Sequence, residues 1–292
     1  LVLMRKFNAE TALQWICHYG VTVQYGVPTI YIKEKEAYLN AAEKPDISSL
    51  RTGIIAGASS AEDVFRWFDE MGCRLLNCYG TSEIGGLTMA AYTDSLTVRS
   101  QTCGHAFSGA HIEVLNAAKE PVHTGETGEI VCTTPWMMRR YEGEPKLTAK
   151  AFDEDGRFLT GDIGYIDAAG NLTICGRKKE LIIRGGYNVF PAEVEQALTT
   201  YTDASEACVI GYKDALLGER ICAFVKLPPA VKLTPQALRE QLMPYIAKYK
   251  LPDRVILMDD IPKLPNGKND CPALRASLAE QLDNERKTVD QK

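Results

Sequence analysis

The run from Thr160 to Glu195, TGDIGYIDAAGNLTICGRKKELIIRGGYNVFPAEVE, constrains the fold more than any other segment. It contains a Thr160-Gly161-Asp162 turn, then a Gly176-Arg177-Lys178-Lys179 segment that follows a predicted strand. A glycine pair, Gly185-Gly186, precedes a helix start marked by Pro191. Few architectures combine these elements at this spacing. The run therefore predicts short strands and tight turns that lead directly into a further α+β unit.

Composition is that of an ordinary globular protein. The 292 residues are 45% apolar and 24% charged, which suits one large or two medium domains. The net charge of −5 gives no broad attraction to polyanions, so a nucleic-acid partner is not expected. The composition does not indicate an oligomeric state.

Cysteine usage and hydropathy indicate the compartment. The nine cysteines are scattered and form no C-x-x-C pair or Cys/His cluster at zinc-finger spacing, which favours reduced thiols and a cytoplasmic protein. No apolar run approaches the ~20 residues of a membrane helix, so no membrane span is expected. Residues 1–16 predict a strand followed by a helix, with no start methionine, and we expect a chain cut from a longer protein.

The chain is predicted to fold in three parts. Residues 1–102 alternate short apolar runs with helical patterns, as in an α/β layer with parallel strands. Residues 103–176 show short strands between turn clusters, which predicts a small antiparallel barrel or sandwich. Residues 177–292 predict an α+β domain.

Particular elements follow from the same periodicities. The predicted strands are 21–27, 52–56, 75–79, 110–115, 128–133, 164–167, 172–175, 180–184, 207–211 and 221–227. The predicted helices are 61–71, about 192–199 and 235–248. From about residue 281 the sequence is charged, and we expect a fraying tail.

Two candidate segments fall just beyond predicted strands, where α/β layers bind ligands. Ala56-Gly57-Ala58 is small enough for a flat ring to lie against the backbone. Cys78-Tyr79-Gly80-Thr81-Ser82-Glu83 offers a ring for stacking, hydroxyls for a phosphate and a carboxylate for Mg²⁺. From local sequence alone, a tight strand-to-helix turn explains residues 56–58 equally well, and an ordinary polar loop is the more common explanation of residues 79–83.

Four further positions carry suggestive chemistry. The Asp162 carboxylate suits two vicinal hydroxyl donors, and Arg177 suits phosphate or ribose oxygens. The glycine pair Gly185-Gly186 allows close approach of a backbone to a ligand. Lys268, in the turn-rich Leu264-Pro265-Asn266-Gly267-Lys268-Asn269 loop, could stabilise developing negative charge. Taken singly, each also fits an ordinary turn residue or a solvated cation.

Together these motifs resemble the adenylate-forming enzymes, which include acyl- and aryl-CoA synthetases, luciferases and peptide-synthetase adenylation domains. Residues 79–83 resemble the Tyr-Gly-x-Thr-Glu motif, with Ser82 at the usual threonine, and residues 56–58 resemble the Gly-Gly-Ala segment. GGYNVFPAEVE is similar to the CoA-forming branch. The Lys268 loop resembles the catalytic-lysine segment, although Asp270-Cys271-Pro272 replaces the arginine that usually follows.

The resemblance implies a fold and a set of roles. It implies an α/β subdomain, a small β-barrel subdomain and an α+β domain hinged at Lys179, with the N-terminal part of the family fold missing. Adenine would lie by Tyr79 and Ala56-Gly57-Ala58, with Cys78, Gly80 and Thr81 beside it. Ser82 would contact phosphate and Glu83 would hold Mg²⁺.

The remaining roles concern the ribose and the later steps. Asp162 would bind the ribose and Arg177 would contact the nucleotide. Gly185 and Gly186 would line the channel for coenzyme A. Lys268 would stabilise the transition state of adenylation.

The implied function is that of an ATP-dependent acid–CoA ligase, which forms an acyl-adenylate and then a thioester with coenzyme A. The runs 49–53 and 137–152 look most like the medium- and long-chain fatty acyl branch, so a fatty acid is the expected substrate. Aryl-CoA ligation, loading of a carrier protein, and a non-catalytic nucleotide-binding or interaction module remain alternatives.

The resemblance covers about residues 1–275, the latter half of a typical member. The sequence contains neither the family's Ser/Thr/Gly-rich phosphate loop nor a G-x-x-x-x-G-K motif. We therefore expect this chain, by itself, to adenylate poorly or not at all.

Overall fold

The computed structural model describes residues 1–58, 60–264 and 268–290, with backbone alone for 286–290. The chain divides into two compact units, Leu1–Lys178 and Lys179–Lys292. The predicted division into 1–102, 103–176 and 177–292 stays a prediction. None of the described helices is both long enough and apolar enough to cross a lipid bilayer.

The first unit begins with a five-stranded sheet in which the strands lie in chain order. The strands are β1 (Val23–Gly26), β2 (Thr52–Ala56), β3 (Arg74–Thr81), β4 (Gly85–Met89) and β5 (His105–Ala106). The helices around it are α1 (Ala9–Tyr19), α2 (Pro28–Asn40), α3 (Glu62–Glu70) and α4 (Leu96–Gln101). β1 to β3 are parallel and the remaining pairings are antiparallel, so the predicted α/β layer is confirmed.

Helix α1 shows how local sequence sets the element bounds. The Asn8 side chain accepts a hydrogen bond from the backbone N–H of Thr11 at 2.8 Å, which caps the first turn. Gly20 ends the helix with φ 57°, a left-handed conformation that costs glycine little. The strand predicted in the first residues is wrong, because residues 1–8 pair with no neighbouring strand in the described chain.

A second sheet in the first unit has four antiparallel strands. These are β6 (His111–Leu115), β7 (Gly128–Thr133), β8 (Phe158–Ile166) and β9 (Leu172–Arg177), in that order, with α5 (Pro145–Ala151) between β7 and β8. Since β6 and β9 do not pair within the described residues, the sheet is open. The predicted small antiparallel barrel or sandwich is thus an open antiparallel sheet, within the confirmed fold class.

The second unit is a mixed sheet covered on both faces. Its strands are β10 (Ile182–Arg184), β11 (Tyr187–Val189), β12 (Glu206–Asp214), β13 (Gly218–Lys226) and β14 (Arg254–Leu257), and its helices are α6 (Pro191–Tyr201), α7 (Pro235–Leu242) and α8 (Cys271–Asp290). In β12, Ala207 and Val209 pack in one core cluster and Cys208 and Ile210 in another. The near-continuous apolar run in β12 is therefore explained by the burial of this strand on both faces of the sheet.

One helical prediction for this unit needs correction. α7 ends at Leu242, not near Lys248, because Pro244 cannot donate the backbone hydrogen bond that would continue the helix. The segment from about residue 281 forms the second half of helix α8, which runs to Asp290, and its fraying stays a prediction. Leu274 and Leu278, one turn apart on α8, are buried against the sheet, and this contact holds the helix in place.

Glu34 of α2 is a buried acid in the first unit. It is 0% exposed and accepts a hydrogen bond from Gln24 Nε2 of β1 at 2.7 Å. Burial raises the pKa of Glu34 to about 7, against the lowering effect of Gln24. Among the described residues, Glu34 Oε2 and Gln24 Oε1 have no hydrogen-bond partner. A neutral Glu34 would carry one O–H donor and would leave no unpaired charge in this buried position.

This pair predicts a pH dependence of stability. Because the folded pKa of Glu34 lies above its ordinary value of 4.5, its contribution is fully present below pH 4.5 and is lost as pH rises through about 7. Glu34→Gln should remove this component, on the order of 3 kcal/mol between pH 4.5 and pH 8. Urea unfolding followed by tryptophan fluorescence reports on the first unit alone, since Trp15, Trp67 and Trp136 all lie there.

The matched control is Glu36→Gln on the exposed face of the same helix, which should leave the wild-type pH dependence intact. An unchanged pH dependence in Glu34→Gln would show that Glu34 is not the titrating group.

Candidate active site

Asp162 lies at the centre of the candidate site, and two side chains hold its carboxylate. Arg177 Nε is 2.8 Å from Oδ1, and the Tyr79 hydroxyl donates to Oδ2 at 2.6 Å. Arg177 faces Asp162 in the register of β8 and β9, whereas Tyr79 comes from β3 of the other sheet. Asp162 is only 3% exposed. One carboxylate therefore joins the two sheets of the first unit.

A bulge in β8 positions Asp162. Glu129 of β7 pairs with Ile163, while Val131 pairs with Leu159, so three residues of β8 oppose Ile130 alone. Gly161, in this bulge, has φ 68°. The Thr160 hydroxyl donates to Ile130 O at 2.7 Å and accepts from Asp162 N at 3.0 Å. The predicted Thr160-Gly161-Asp162 turn is therefore a bulge within a longer strand.

Tyr79 acts as a donor in this arrangement. Burial, reinforced by the negative charge of Asp162, raises the pKa of the Tyr79 hydroxyl well above its ordinary value. The phenol therefore keeps its proton at neutral pH and donates it to the carboxylate.

The hairpin between β3 and β4 presents Glu83. Thr81, Ser82 and Glu83 lie where the two strands meet, and Ser82 is exposed. A Cβ added to Gly80 would lie 2.1 Å from the carbonyl oxygen of Gly85, so only glycine allows the two strands to approach this closely.

Glu83 is held by its own loop and by a second segment. Its carbonyl oxygen accepts from Met138 N at 2.6 Å, and its Oε1 accepts from the Tyr141 hydroxyl at 3.0 Å. Hydrogen bonding from Thr81 lowers the pKa of Glu83, partly opposed by burial. Tyr141 and the charge of Arg177 lower it further, so Glu83 is ionised at neutral pH.

Glu83 and Arg177 border one cleft of about 350 Å³. The lining residues are Thr81, Glu83, Tyr141, Leu147, Lys150, Ala151, Phe158, Leu159, Thr160 and Arg177. Two cations, Arg177 and Lys150, thus share the cleft with one carboxylate. The sequence interpretation did not single out Tyr141 or Lys150, since neither side chain stands out locally from ordinary surface residues.

The small-residue segment follows the strand next to β3. Ala56, the last residue of β2, pairs with Cys78, and Gly57 continues with φ 89°. Gly57 and Ala58 are exposed, while burial raises the pKa of the half-buried Cys78 thiol. This end of the sheet therefore exposes backbone without bulky side chains beside Tyr79.

A magnesium ion at Glu83 would need ligands from its substrate. Among the described residues, no group of three or more His, Cys, Asp or Glu side chains could hold a metal ion. Mg²⁺ commonly binds one or two carboxylates together with substrate phosphates and water. A single ionised Glu83 in a cleft that also carries cations fits that mode of binding.

The glycine pair of the second unit forms a hairpin turn. Gly185 and Gly186 form a two-residue turn between β10 and β11, whose last and first residues, Arg184 and Tyr187, are paired. Their φ angles are 59° and 84°, and a two-residue hairpin turn of this type requires positive φ at both positions. The helix begins only at Pro191, after β11. Arg184 is anchored by two hydrogen bonds to Asp253, which fixes the base of the turn.

Lys268 and Lys179 also belong to the second unit. The Lys268 side chain is exposed, and its carbonyl oxygen accepts from Leu264 N at 2.8 Å. Lys263 and Asn269 form an antiparallel bridge beside it. Lys179 is the first residue of the unit and lies in a short 3-10 turn. Residues 265–267 of the predicted lysine loop, and Ser59 after Ala58, lie outside the described residues.

The structure brings together part of the predicted set. Tyr79, Asp162 and Arg177 are in direct contact, and Glu83 shares a cleft with Arg177. The ligand roles of these residues, of Ser82 and of the second-unit residues remain predictions.

Comparison with known proteins identifies the family. The model of the AMP-binding enzymes matches residues 1–142, and that of the AMP-binding enzyme C-terminal domain matches residues 193–268. The medium-chain fatty-acid–CoA ligase of Escherichia coli is 33% identical over 96% of this chain and 50% of its own length. A fatty acid–[acyl-carrier-protein] ligase, ScoC, of Streptomyces coeruleorubidus is 32% identical over 92% of the chain and 52% of its own length.

Structural comparison gives the same result. The crystal structure of ATP-bound MatB from Rhodopseudomonas palustris superposes with a TM-score of 0.84 at 30% identity, over 94% of this chain and 54% of that one. The chain spans about half the length of the curated relatives it matches. Two models of one family match well over half of the chain, and it belongs to the AMP-binding, adenylate-forming enzymes.

Proposed function

We propose that the protein is an AMP-forming acid–CoA ligase that acts on a fatty acid. The observation that carries this proposal is the contact of Tyr79, Asp162 and Arg177 beside a cleft with an ionised Glu83. ATP, Mg²⁺ and coenzyme A are the cofactors that the family resemblance implies. In this reaction a carboxylate oxygen of the acid would attack the α-phosphorus of ATP, the bond to the β-phosphate would break, and acyl-adenylate and pyrophosphate would form.

Asp162 has the chemistry for a ribose. Each carboxylate oxygen accepts more than one hydrogen bond, so Oδ1 and Oδ2 can receive two vicinal hydroxyls in addition to Tyr79. Arg177 is 41% exposed and can turn away from Asp162, while Asp162 is fixed by the β8 bulge. In this proposal Asp162 holds the sugar and Arg177 exchanges its carboxylate contact for nucleotide oxygens.

The phosphate side of the cleft combines opposite charges. Glu83 would supply one ligand to Mg²⁺, and Ser82 would donate a hydrogen bond to the phosphate. Lys150, which faces the same cleft, would add positive charge near the phosphates. Lys268 is assigned to the adenylation step by the family resemblance, and the Gly185-Gly186 turn to the approach of coenzyme A.

The fatty acyl substrate is supported by the relatives. The E. coli relative is named for medium-chain fatty acids, and the Streptomyces relative is also a fatty acid ligase. A cytoplasmic location, favoured by nine free cysteines, belongs to the same proposal.

A second candidate is transfer of the acyl group to a carrier protein, which the name of the Streptomyces relative favours. The two candidate functions are separated by an assay of the full-length protein with ATP and a fatty acid. The acceptor in the assay is either coenzyme A or a phosphopantetheinyl carrier protein. Mass spectrometry that finds acyl-carrier but no acyl-CoA would establish the second candidate.

The ribose role of Asp162 predicts a loss of nucleotide affinity on substitution. Asp162→Asn keeps the shape but removes the charge that strengthens acceptance from two hydroxyls, so AMP affinity should fall about tenfold or more. The affinity for AMP is measured by titration calorimetry of the 292-residue chain. Asp155→Asn, at an exposed position in the same unit, is the control and should bind as wild type does. Equal affinities for Asp162→Asn and wild type would remove Asp162 from the site.

The Lys268 role predicts a loss of adenylation. In the full-length protein, Lys268→Ala should slow the fatty-acid-dependent exchange of pyrophosphate into ATP by about a hundredfold or more. This is the loss expected when one group that stabilises the charge of the transition state is removed. Lys232→Ala, at an exposed position of the same unit, should exchange at the wild-type rate. Full exchange in Lys268→Ala would contradict the assignment.

A further inference from the structure

Two cysteine thiols of the second unit face each other. Cys208, in β12, is 0% exposed, and Cys271 is the first residue of α8 and is half-buried. Their sulfur atoms are 3.7 Å apart, which is a non-bonded contact. A disulfide has its sulfur atoms about 2.05 Å apart, so the two sulfurs would have to approach each other by about 1.7 Å to form the bond.

The surroundings make the two thiols unequal. Hydrogen bonding from the Cys208 thiol lowers the pKa of Cys271, opposed by burial and by Glu180 and assisted by Arg275. The same contact, together with burial and the negative charge of Glu195, raises the pKa of Cys208. The amino end of the 20-residue helix α8 also favours a thiolate at Cys271.

The polar groups around the pair keep this arrangement in place. Asn269 donates from Nδ2 to Ala207 O at 3.4 Å and accepts from Lys263 Nζ at 2.5 Å, beside Cys208 in β12. Asp270 N donates to Pro262 O at 2.8 Å. These contacts hold the start of α8 against the strand that carries Cys208.

We propose that Cys208 and Cys271 form a peroxide-sensitive dithiol, a modification site that closes to an intramolecular disulfide. The Cys271 thiolate attacks one oxygen of hydrogen peroxide, the O–O bond breaks, and sulfenic acid and hydroxide form. Cys208 then attacks the Cys271 sulfur and gives up its proton, and the sulfenic oxygen leaves as water. Two thiols are thereby oxidised to one disulfide while one peroxide is reduced to two waters.

The disulfide would tie the amino end of α8 to β12, three residues beyond Lys268. Its formation depends only on the two thiols and their surroundings in the second unit. The inference therefore stands whether or not the protein ligates fatty acids.

To test this proposal, the reduced 292-residue chain is treated with one equivalent of hydrogen peroxide. Free thiols are then counted in denaturant, and the linked peptides are identified by peptide mapping. Free thiols should fall from nine to seven and return on reduction. Trypsin should release residues 185–213, in which Cys208 is the only cysteine, linked to residues 269–275, in which Cys271 is the only cysteine.

Variants identify the order of the two steps. In Cys208→Ser, which keeps a hydroxyl donor beside Cys271 but cannot form a disulfide, the sulfenic acid at Cys271 should persist and be trapped by dimedone. In Cys271→Ser the thiol of Cys208 should remain unmodified. Cys17→Ser removes an exposed cysteine and should still form the linked peptide. Absence of this peptide in the wild-type chain, under conditions that oxidise Cys17, would overturn the proposal.

Discussion

The candidate site in the first unit depends on one buried carboxylate, that of Asp162. Asp162 is almost fully enclosed, and its two oxygens bind groups from different sheets, Tyr79 from the five-stranded mixed sheet and Arg177 from the four-stranded antiparallel sheet. Removing a buried charge from water is costly unless hydrogen bonds and an opposite charge compensate. The protonated phenol and the guanidinium provide both, so the site is set in place by the same contacts that connect the sheets.

The same arrangement explains why the cleft carries mixed charge. Glu83 remains ionised because Thr81 and Tyr141 hydrogen-bond to it and Arg177 is nearby. Arg177 therefore interacts with two carboxylates, the enclosed Asp162 and the more accessible Glu83. A ligand with a diol and a phosphate can satisfy Asp162 and Arg177 separately, and a divalent cation suits Glu83. The cleft thus matches the polarity of a metal-bound nucleotide.

The sequence predicts regular elements well where the pattern is local. Strands 52–56 and 128–133 are found at the predicted residues, because apolar, β-branched runs bounded by turn residues need little further information. The bulge at Asp162 was not foreseen, since it depends on which residues of β7 lie opposite. Helix α2 was also missed, because its apolar residues lie at its two ends and the consecutive charged residues 33–36 between them leave no continuous apolar face.

The candidate site was predicted in the same uneven way. Motif resemblance found Tyr79, Asp162 and Arg177, which the fold brings into contact. It did not find Tyr141, whose hydroxyl reaches Glu83 across 58 positions of sequence, because such a contact has no local signature. The contact of Cys208 with Cys271 has the same origin, since sheet and helix packing joins two distant cysteines that look unremarkable in sequence.

The most direct test of the account is a crystal structure of the chain with bound AMP. In that structure both ribose hydroxyls should donate to Asp162, and the adenine should lie beside Tyr79 and the 56–58 segment. The phosphate should enter the cleft bordered by Glu83 and Arg177. AMP bound elsewhere on the chain, with the Asp162–Arg177 pair unchanged and the cleft empty, would contradict it.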